Sequence, residues 1–356
     1  MKLSGYTTTR NSVYMGYPFE ESIRLHLSFC DEVVVVDSSD TEVHLNDDTM
    51  KILNDMIEEF GKERLRVFHV NIDYDAPNHA LWDGRLKGVA RSKCTGDFLW
   101  QFDTDEAVTG GPEFRVKVDK LIQERFSEND NLMALPVIDF WGPDGHVRVD
   151  VPPWKWRLSR NHPNITHGVP VHLRKREEVD GVMYDFAMEG TDGCDYVWKD
   201  TGTIVPCMHF MTQEMLQAQR TALNGGDKTV YQEMVRAAEK GLPTVYHYSW
   251  YSVYHKLTQW VKFWNGFWKA MYNKSRHENP NWNPFFSNQR LEDASDAQLR
   301  TLASALETFC GGHIFHSQWQ FTPTPWITLE SDSKGPQEMV DWYDAKMEYN
   351  DLNDNY

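Results

Sequence analysis

The chain has 356 residues, 40% of them hydrophobic, and a formal net charge of -17. That length and apolar content allow a sizeable core in two domains and exclude global disorder. The acidic balance, with no basic run to offset it, argues against a nucleic-acid partner.

The N-terminal part reads as alternating strands and helices. Residues 6–10 suit a short strand, and residues 19–30 have helical spacing in Phe19, Ile23, Leu27 and Cys30 after Pro18. Val33-Val34-Val35-Val36 is an unbroken β-branched run ending at Asp37, the pattern of a strand buried on both faces. Met50, Leu53, Ile57 and Phe60 share one helical face, and Gly61 is a helix stop. Residues 66–72 form the next strand and 81–93 a helix. Residues 98–102 form a strand that runs into Asp103-Thr104-Asp105-Glu106. This β-α-β-α-β order predicts a mostly parallel sheet with helices on both faces, whose ligands lie beyond the carboxyl ends of the strands. Asp37-Ser38-Ser39-Asp40 and Asp103-Thr104-Asp105-Glu106 both fall at such ends.

From Gly142 the pattern loosens into turns and loops, and residues 205–210 read as a strand ending near a helix start. Helices are expected over 212–223, 228–240 and 295–309. The stretch 246–272 is dense in aromatics, and the acidic tail from Ser331 is expected to fray. The division drawn from this is a domain over residues 1–212 and a mostly helical, aromatic-rich region over 213–356. Five cysteines without metal-ligand or redox spacing fit a reducing compartment. The first residues lack the apolar run of a signal peptide, and no apolar stretch is long enough to span a bilayer. A cytoplasmic protein is expected, in the host cytoplasm if the source is a virus or phage.

On an extended segment residues i and i+2 point the same way, so Asp103 and Asp105 converge on one point. Hard divalent cations such as Mg²⁺ and Mn²⁺ take oxygen ligands and often use one or two carboxylates, with phosphates and waters completing the shell. A bare Asp-x-Asp is more often a solvated acidic loop; its place after an apolar strand in a βαβ series reverses that in favour of the metal.

The ordered set of motifs resembles the family 2 glycosyltransferases of the GT-A fold. The matching pieces are Thr7-Thr8-Thr9-Arg10-Asn11, Glu21-Ser22-Ile23, the run from Asp31 through Asp37 to Thr41, Ala90-Arg91, and Phe98 through Asp103-Thr104-Asp105-Glu106. Trp156-Arg157-Leu158-Ser159-Arg160 and His167-Gly168-Val169-Pro170-Val171-His172 also match, so the likeness runs over residues 5–212. It implies an α/β, Rossmann-like catalytic domain that moves a sugar from a nucleoside diphosphate sugar to a hydroxyl acceptor, with inversion. Uridine diphosphate sugars are the first expectation and guanosine diphosphate sugars the second. Mn²⁺ or Mg²⁺ is the implied cofactor, and a glycan or lipid-linked molecule the implied acceptor.

The resemblance also implies roles. Asp37 accepts hydrogen bonds from the donor's base or ribose beside Thr9 and Arg10, Asp103 faces the ribose, and Asp105 binds the metal. Arg85, Lys87 and Arg91 lie where the family places a basic contact to the diphosphate; guanidinium forks match phosphate oxygens. Read from the residues alone, Asp37 is also a turn former or helix cap, and the three cations are also the wet face of a helix. His209 sits where a late histidine completes the metal shell, although a lone histidine among apolar neighbours is more often structural. Relatives carry His-Glu where this chain has His172-Leu173, so the base that takes the acceptor's proton must come from elsewhere. Glu189 and Asp192 are the first candidates, in the loop with Gly190 and Gly193, and Asp185 and Asp195 follow. Trp250, Tyr254, Leu257, Val261, Trp264, Trp268 and Met271 recur at helical spacing. That stripe faces a core, stacks on an acceptor sugar or, with Lys256, Lys262 and Lys269, makes a peripheral membrane contact. Two rivals stand beside this reading. A sugar-nucleotide nucleotidyltransferase lacks its glycine-rich phosphate loop here, and a non-catalytic carbohydrate-binding protein has no need of both motif carboxylates.

Overall fold

The computed structural model describes residues 1–39, 47–72, 82–179, 181–187, 193–259, 294–309, 311–312, 323–324, 326–329 and 334–353. Glu189, Asp192, Asp40, Thr41, Lys262, Lys269, Cys310 and the aromatic stripe beyond residue 259 lie outside them.

The first half follows the predicted alternation. Its elements are β1 (Leu3–Thr9), α1 (Ser12–Met15), α2 (Phe19–Leu27), β2 (Glu32–Asp37), α3 (Thr49–Phe60), β3 (Leu65–His69), α4 (Trp82–Lys93) and β4 (Phe98–Gln101). After the motif turn come β5 (Glu106–Ala107), α5 (Gly111–Arg125), β6 (Leu132–Asp139), β7 (His146–Arg148) and β8 (Trp154–Arg160). Smaller pieces follow: β9 (Ile165–His167), β10 (Arg174–Val179), β11 (Val182–Ala187), β12 (Tyr196–Trp198) and β13 (Met208–His209). Then come α6 (Gln213–Leu223), α7 (Thr229–Gly241), β14 (Val245–His247), α8 (Val253–Gln259) and α9 (Asp296–Phe309). The chain ends in β15 (Gly311–Gly312), β16 (Pro323–Thr324), β17 (Trp326–Thr328) and α10 (Gln337–Asn353).

The central sheet runs β3-β2-β1-β4-β8-β6-β14-β5, with β13 also on β6. Pairs β3-β2, β2-β1 and β1-β4 are parallel, as are β6-β14 and β6-β13. β8 lies antiparallel between β4 and β6. The architecture is a mixed, mostly parallel Rossmann-like sheet of GT-A type with flanking helices and a C-terminal helical region. The β2 run explains its own position. Val33 and Val35 pack on one face with Phe19, Ile23 and Phe114, and Val34 and Val36 pack on the other with Leu86 and Ala90. Successive strand side chains point to opposite faces, so a strand covered on both sides has no polar position to offer. At Gly61 the backbone turns to φ 87, which ends α3 as its sequence predicts.

Two features depart from the sequence reading. β14 lies beyond residue 212 yet is part of the central sheet, so the sheet does not end at the expected domain boundary. The tail from Ser331, expected to fray, contains α10. Met339, Val340 and Tyr343 lie on one face of that helix and bury against Tyr248 and Tyr251. An apolar stripe of three residues within an acidic helix is enough to dock it. Of the aromatic stripe, Trp250 and Leu257 are core residues packed with Trp141, Leu302 and Leu306. No helix among the described residues is long and apolar enough to cross a membrane.

Candidate functional site

The carboxyl end of β4 leads through Phe102 into a tight turn. Glu106 N donates to Asp103 O at 3.0 Å, and Asp103 N donates to Glu106 Oε2 at 3.2 Å. The turn is anchored from α2 by Ser22, whose hydroxyl donates to Glu106 O at 2.6 Å. Beneath it the His26 ring stacks on Phe102 with centroids 3.6 Å apart.

Three cations hold the turn's carboxylates. Lys87 of α4 lies 2.8 Å from Asp103 Oδ1, Arg157 lies 2.7 Å from Asp103 Oδ2, and Lys155 lies 2.8 Å from Glu106 Oε1. Arg157 also donates to Glu106 and Gln101. Its reach has a local cause. On β8, Leu158 faces Met133 of β6 and Trp156 faces Ala134, so Arg157 is an extra residue opposite no residue of β6. That is a β-bulge, which re-aims a side chain without breaking the sheet. Burial works against ionising Asp103, but Lys87, Arg157 and Lys155 hold it well below the ordinary carboxylate range. Glu106 is lowered too, with Arg157 and Lys155 overcoming its burial.

Asp105 faces a different set of groups. His247, the last residue of β14, pairs with Asp139 at the end of β6 and with Glu106 of β5. Its Nδ1 is 3.0 Å from Asp139 Oδ2, and its Nε2 is 3.6 Å from Asp105 Oδ1, too long for a hydrogen bond. Burial and Lys155 push the His247 pKa down, but Asp139 and Asp105 outweigh them and raise it to about 9. Asp105 is held below its usual range against the effect of burial, chiefly by His247 and then by Lys256. Asp139 is likewise lowered, to about 2, by His247 and Arg148 against its burial. Lys256 of α8 is only 4% exposed, and burial lowers its pKa although Asp105 and Asp139 oppose this. A buried lysine turned toward carboxylates is not a membrane contact. Four lysine and arginine cations (Lys87, Lys155, Arg157, Lys256) face four carboxylates (Asp103, Asp105, Glu106, Asp139).

The remaining expected residues fall in several places. Asp37 is fully buried, and its carboxylate accepts from Thr9 Oγ1 at 2.8 Å, Ser39 Oγ at 2.7 Å and Ser39 N at 3.0 Å, with His69 Nδ1 at 3.0 Å. These four contacts match the acceptor capacity of a carboxylate. His69 in turn reaches Asn71 at 2.9 Å, so the polar groups that surround Asp37 are Thr9, Ser39 and His69. Arg10 is partly buried beside them. Arg91 is 3% exposed and donates to Ser159 Oγ, Arg160 O and Ile165 O, a structural set of bonds. Arg85 is exposed. Of Arg85, Lys87 and Arg91, Lys87 is therefore the one that meets the motif. Gly193, the first described residue after Asp192, packs against Gly84 at the start of α4, where a Cβ on Gly84 would lie 1.8 Å from Gly193 O. Asp195 lines a cavity of about 220 Å³ with Trp156, Tyr196 and His209.

His209 and Asp105 are not brought together. The two late histidines both lie on strands paired with β6, His209 opposite Ala134 and His247 opposite Asp139. Five residues of extended chain separate those positions by roughly 17 Å. His209 is exposed, its ring edge-on to Trp154 with centroids 4.7 Å apart. Sequence reasoning missed His247. The signal available was Val245-Tyr246-His247, a short strand-like run after the Gly241-Leu242-Pro243 break.

Among the described residues no three His, Cys, Asp or Glu side chains form a cluster able to hold a metal ion. The donor set does fit a cation that takes most of its shell from a ligand. Asp105 and His247 offer two protein ligands of the types that Mn²⁺ accepts. The separation of 3.6 Å is near the about 3 Å between adjacent ligands of such an ion. Asp139 Oδ1, buried and without a hydrogen-bond partner among the described residues, marks the region as polar.

No family model matches the chain, and no curated protein does. Among solved structures it is similar to S. aureus TarS 1-349, at 15% identity over 86% of this chain and 91% of that one, with a TM-score of 0.33. The same protein in complex with UDP-GlcNAc is similar at 14% identity, with the same coverage and TM-score. Glucosyl-3-phosphoglycerate synthase from Mycobacterium tuberculosis, in complex with Mn²⁺ and UDP-glucose, is similar at 19% identity over 39% of this chain and 43% of that one, TM-score 0.23. Likenesses this distant carry no functional argument, which rests on the site.

Proposed function

We propose that the protein is a metal-dependent glycosyltransferase that moves a sugar from a nucleoside diphosphate sugar to a hydroxyl acceptor. The observation that carries the reading is the meeting of Asp105 with His247, 3.6 Å apart, beside the cations Lys87, Lys155 and Lys256. Asp105 and His247 hold Mn²⁺ or Mg²⁺, and His247 takes the place expected for His209. Held there, such an ion would supply positive charge to offset that on the leaving diphosphate. Lys87 and Lys155 lie close enough to the motif to add charge-assisted hydrogen bonds to phosphate oxygens. Thr9, Arg10 and Asp37 shape the nucleoside side at the ends of β1 and β2, with His69 as a further polar group. Arg85 reaches the diphosphate only from an exposed position, and Arg91 keeps α4 in place. Asp103, clamped by Lys87 and Arg157, orients the ribose side. Glu189 or Asp192 takes the acceptor's proton in an inverting reaction; in support, Gly193, which follows them in the chain, packs against Gly84 of α4, the helix that carries Lys87. Uridine diphosphate sugars are the first choice of donor and guanosine diphosphate sugars the second.

A thermal-shift screen of UDP and GDP, with and without Mn²⁺, tests the reading. A ligand that binds only the folded state raises the melting temperature by mass action, by an amount set by the ratio of ligand to Kd. The expected result is a larger rise with UDP and Mn²⁺ together than with either alone. No shift with any nucleoside diphosphate in Mn²⁺ or Mg²⁺ would sink the proposal.

A further inference from the structure

His247 stands between two carboxylates with different geometry. Asp139 Oδ2 lies at hydrogen-bonding distance from Nδ1, 3.0 Å, whereas Asp105 Oδ1 lies 3.6 Å from Nε2. The backbone is clamped on both sides of the ring. Phe140 N donates to His247 O at 3.1 Å, and Tyr248 N donates to Asp105 O at 2.9 Å. Asp139 and the Asp105 turn are therefore tied to β14 through main-chain bonds. Asp139 is 7% exposed, and its Oδ1 finds no hydrogen-bond partner among the described residues. Leaving a buried carboxylate oxygen in that state costs free energy, so a role beyond packing is called for.

We infer that Asp139 is a positioning residue for the metal site: by accepting from His247 Nδ1–H it turns the Nε2 lone pair toward Asp105 and the cation. The inference rests on the reading of Asp105 and His247 as the metal ligands. An imidazole binds a metal through one nitrogen only if the proton of its neutral form is on the other, and a hydrogen bond to that other nitrogen decides which. Asp139 supplies that bond from the adjacent parallel strand. Its negative charge also raises the electron density that the ring offers to the ion. The pairing arises because β6 and β14 end in register at Asp139 and His247, 108 residues apart in the chain.

The test measures Mn²⁺ uptake by electron paramagnetic resonance in the presence of UDP, for the wild-type chain and for Asp105→Ala, Asp139→Asn and Asp139→Glu. UDP affinity without metal and the urea midpoint are measured alongside. Asp139→Asn is expected to raise the Mn²⁺ dissociation constant about 10- to 100-fold, the usual loss when an outer partner of a ligand is removed. Metal-free UDP affinity should be unchanged, because Asp139 contacts the ring and not the nucleotide. Asp139→Glu, which keeps the carboxylate, should recover much of the loss; a purely structural role gives no such rescue. If Asp105→Ala takes up Mn²⁺ as the wild type does, the metal reading fails and the inference falls with it. If Asp105→Ala loses Mn²⁺ while Asp139→Asn keeps wild-type affinity, the metal reading stands and the role of Asp139 alone is overturned.

Discussion

The ends of β1 and β2 and the ends of β6 and β14 are built on different principles. Around Asp37 every acceptor position is filled by groups from neighbouring strands: Thr9 from β1, Ser39 two residues on, and His69 from β3. Around Asp105 the geometry is open. A histidine stands at 3.6 Å, a buried lysine faces the same carboxylate, and Asp139 keeps an oxygen without a partner among the described residues. The Asp37 carboxylate is filled from within the protein, whereas the second region has polar capacity in reserve. Buried polar groups are ordinarily satisfied, so unsatisfied capacity gathered at strand ends is where a ligand is expected.

The largest expected effect lies in the clamp between these regions. Arg157→Ala removes the guanidinium from buried Glu106 and partly buried Asp103 and leaves Glu106 without its main partner. Breaking a buried pair from one side costs about 3–5 kcal/mol, enough to unfold a marginal protein. Urea denaturation is expected to show that loss for Arg157→Ala. Arg85→Ala, at an exposed position of α4, should change stability by no more than about 0.5 kcal/mol. Equal effects would mean that the bulge on β8 is not what organises the motif.

The next effect separates the two histidines. His247→Ala should weaken Mn²⁺-supported UDP binding about 10- to 100-fold, and His209→Ala should leave it unchanged. Calorimetric titration of UDP into each variant at fixed Mn²⁺ decides between them. A loss confined to His209→Ala would reverse the assignment.

The smallest effect is on the pH dependence of stability. Burial lowers the pKa of His26 to about 4 and of His167 to about 3. Both are depressed below the unfolded value of about 6.5, so between the two values the unfolded chain binds more protons than the folded one. Their contribution is complete above pH about 6.5 and is lost as pH falls toward 4 and then 3. Urea midpoints across pH 4–8 should therefore decline on the acid side, and His26→Gln should flatten the upper part of the decline. An unchanged slope in that variant would show that His26 is not held neutral.

Much of the first region was legible in the sequence, because its signals are local. The Val33–Val36 run, the acidic residue closing it and Gly61 after an amphipathic helix each report on a few neighbouring residues. The place of Asp103 and Asp105 at the end of an apolar strand was legible for the same reason. What the sequence hid depends on pairing at long range. His247 becomes significant only through the parallel register of β14 on β6, which sets it opposite Asp139 and leaves His209 opposite Ala134. Arg157 was visible within a motif, but its reach comes from one extra residue in β8, and no local pattern marks a bulge. Lys256 read as a helix-surface cation, and only the tertiary packing of α8 turns it inward to Asp105. The same holds for α10, whose acidic sequence concealed a short docking stripe.

The most direct measurement is a calorimetric titration of UDP into the wild-type chain and into Asp105→Ala, each with and without Mn²⁺. The account predicts that Mn²⁺ strengthens UDP binding to the wild type and has no effect on a folded Asp105→Ala protein. The two should bind UDP alike without metal. A folded Asp105→Ala variant that keeps the full Mn²⁺-dependent gain would contradict the assignment of the site.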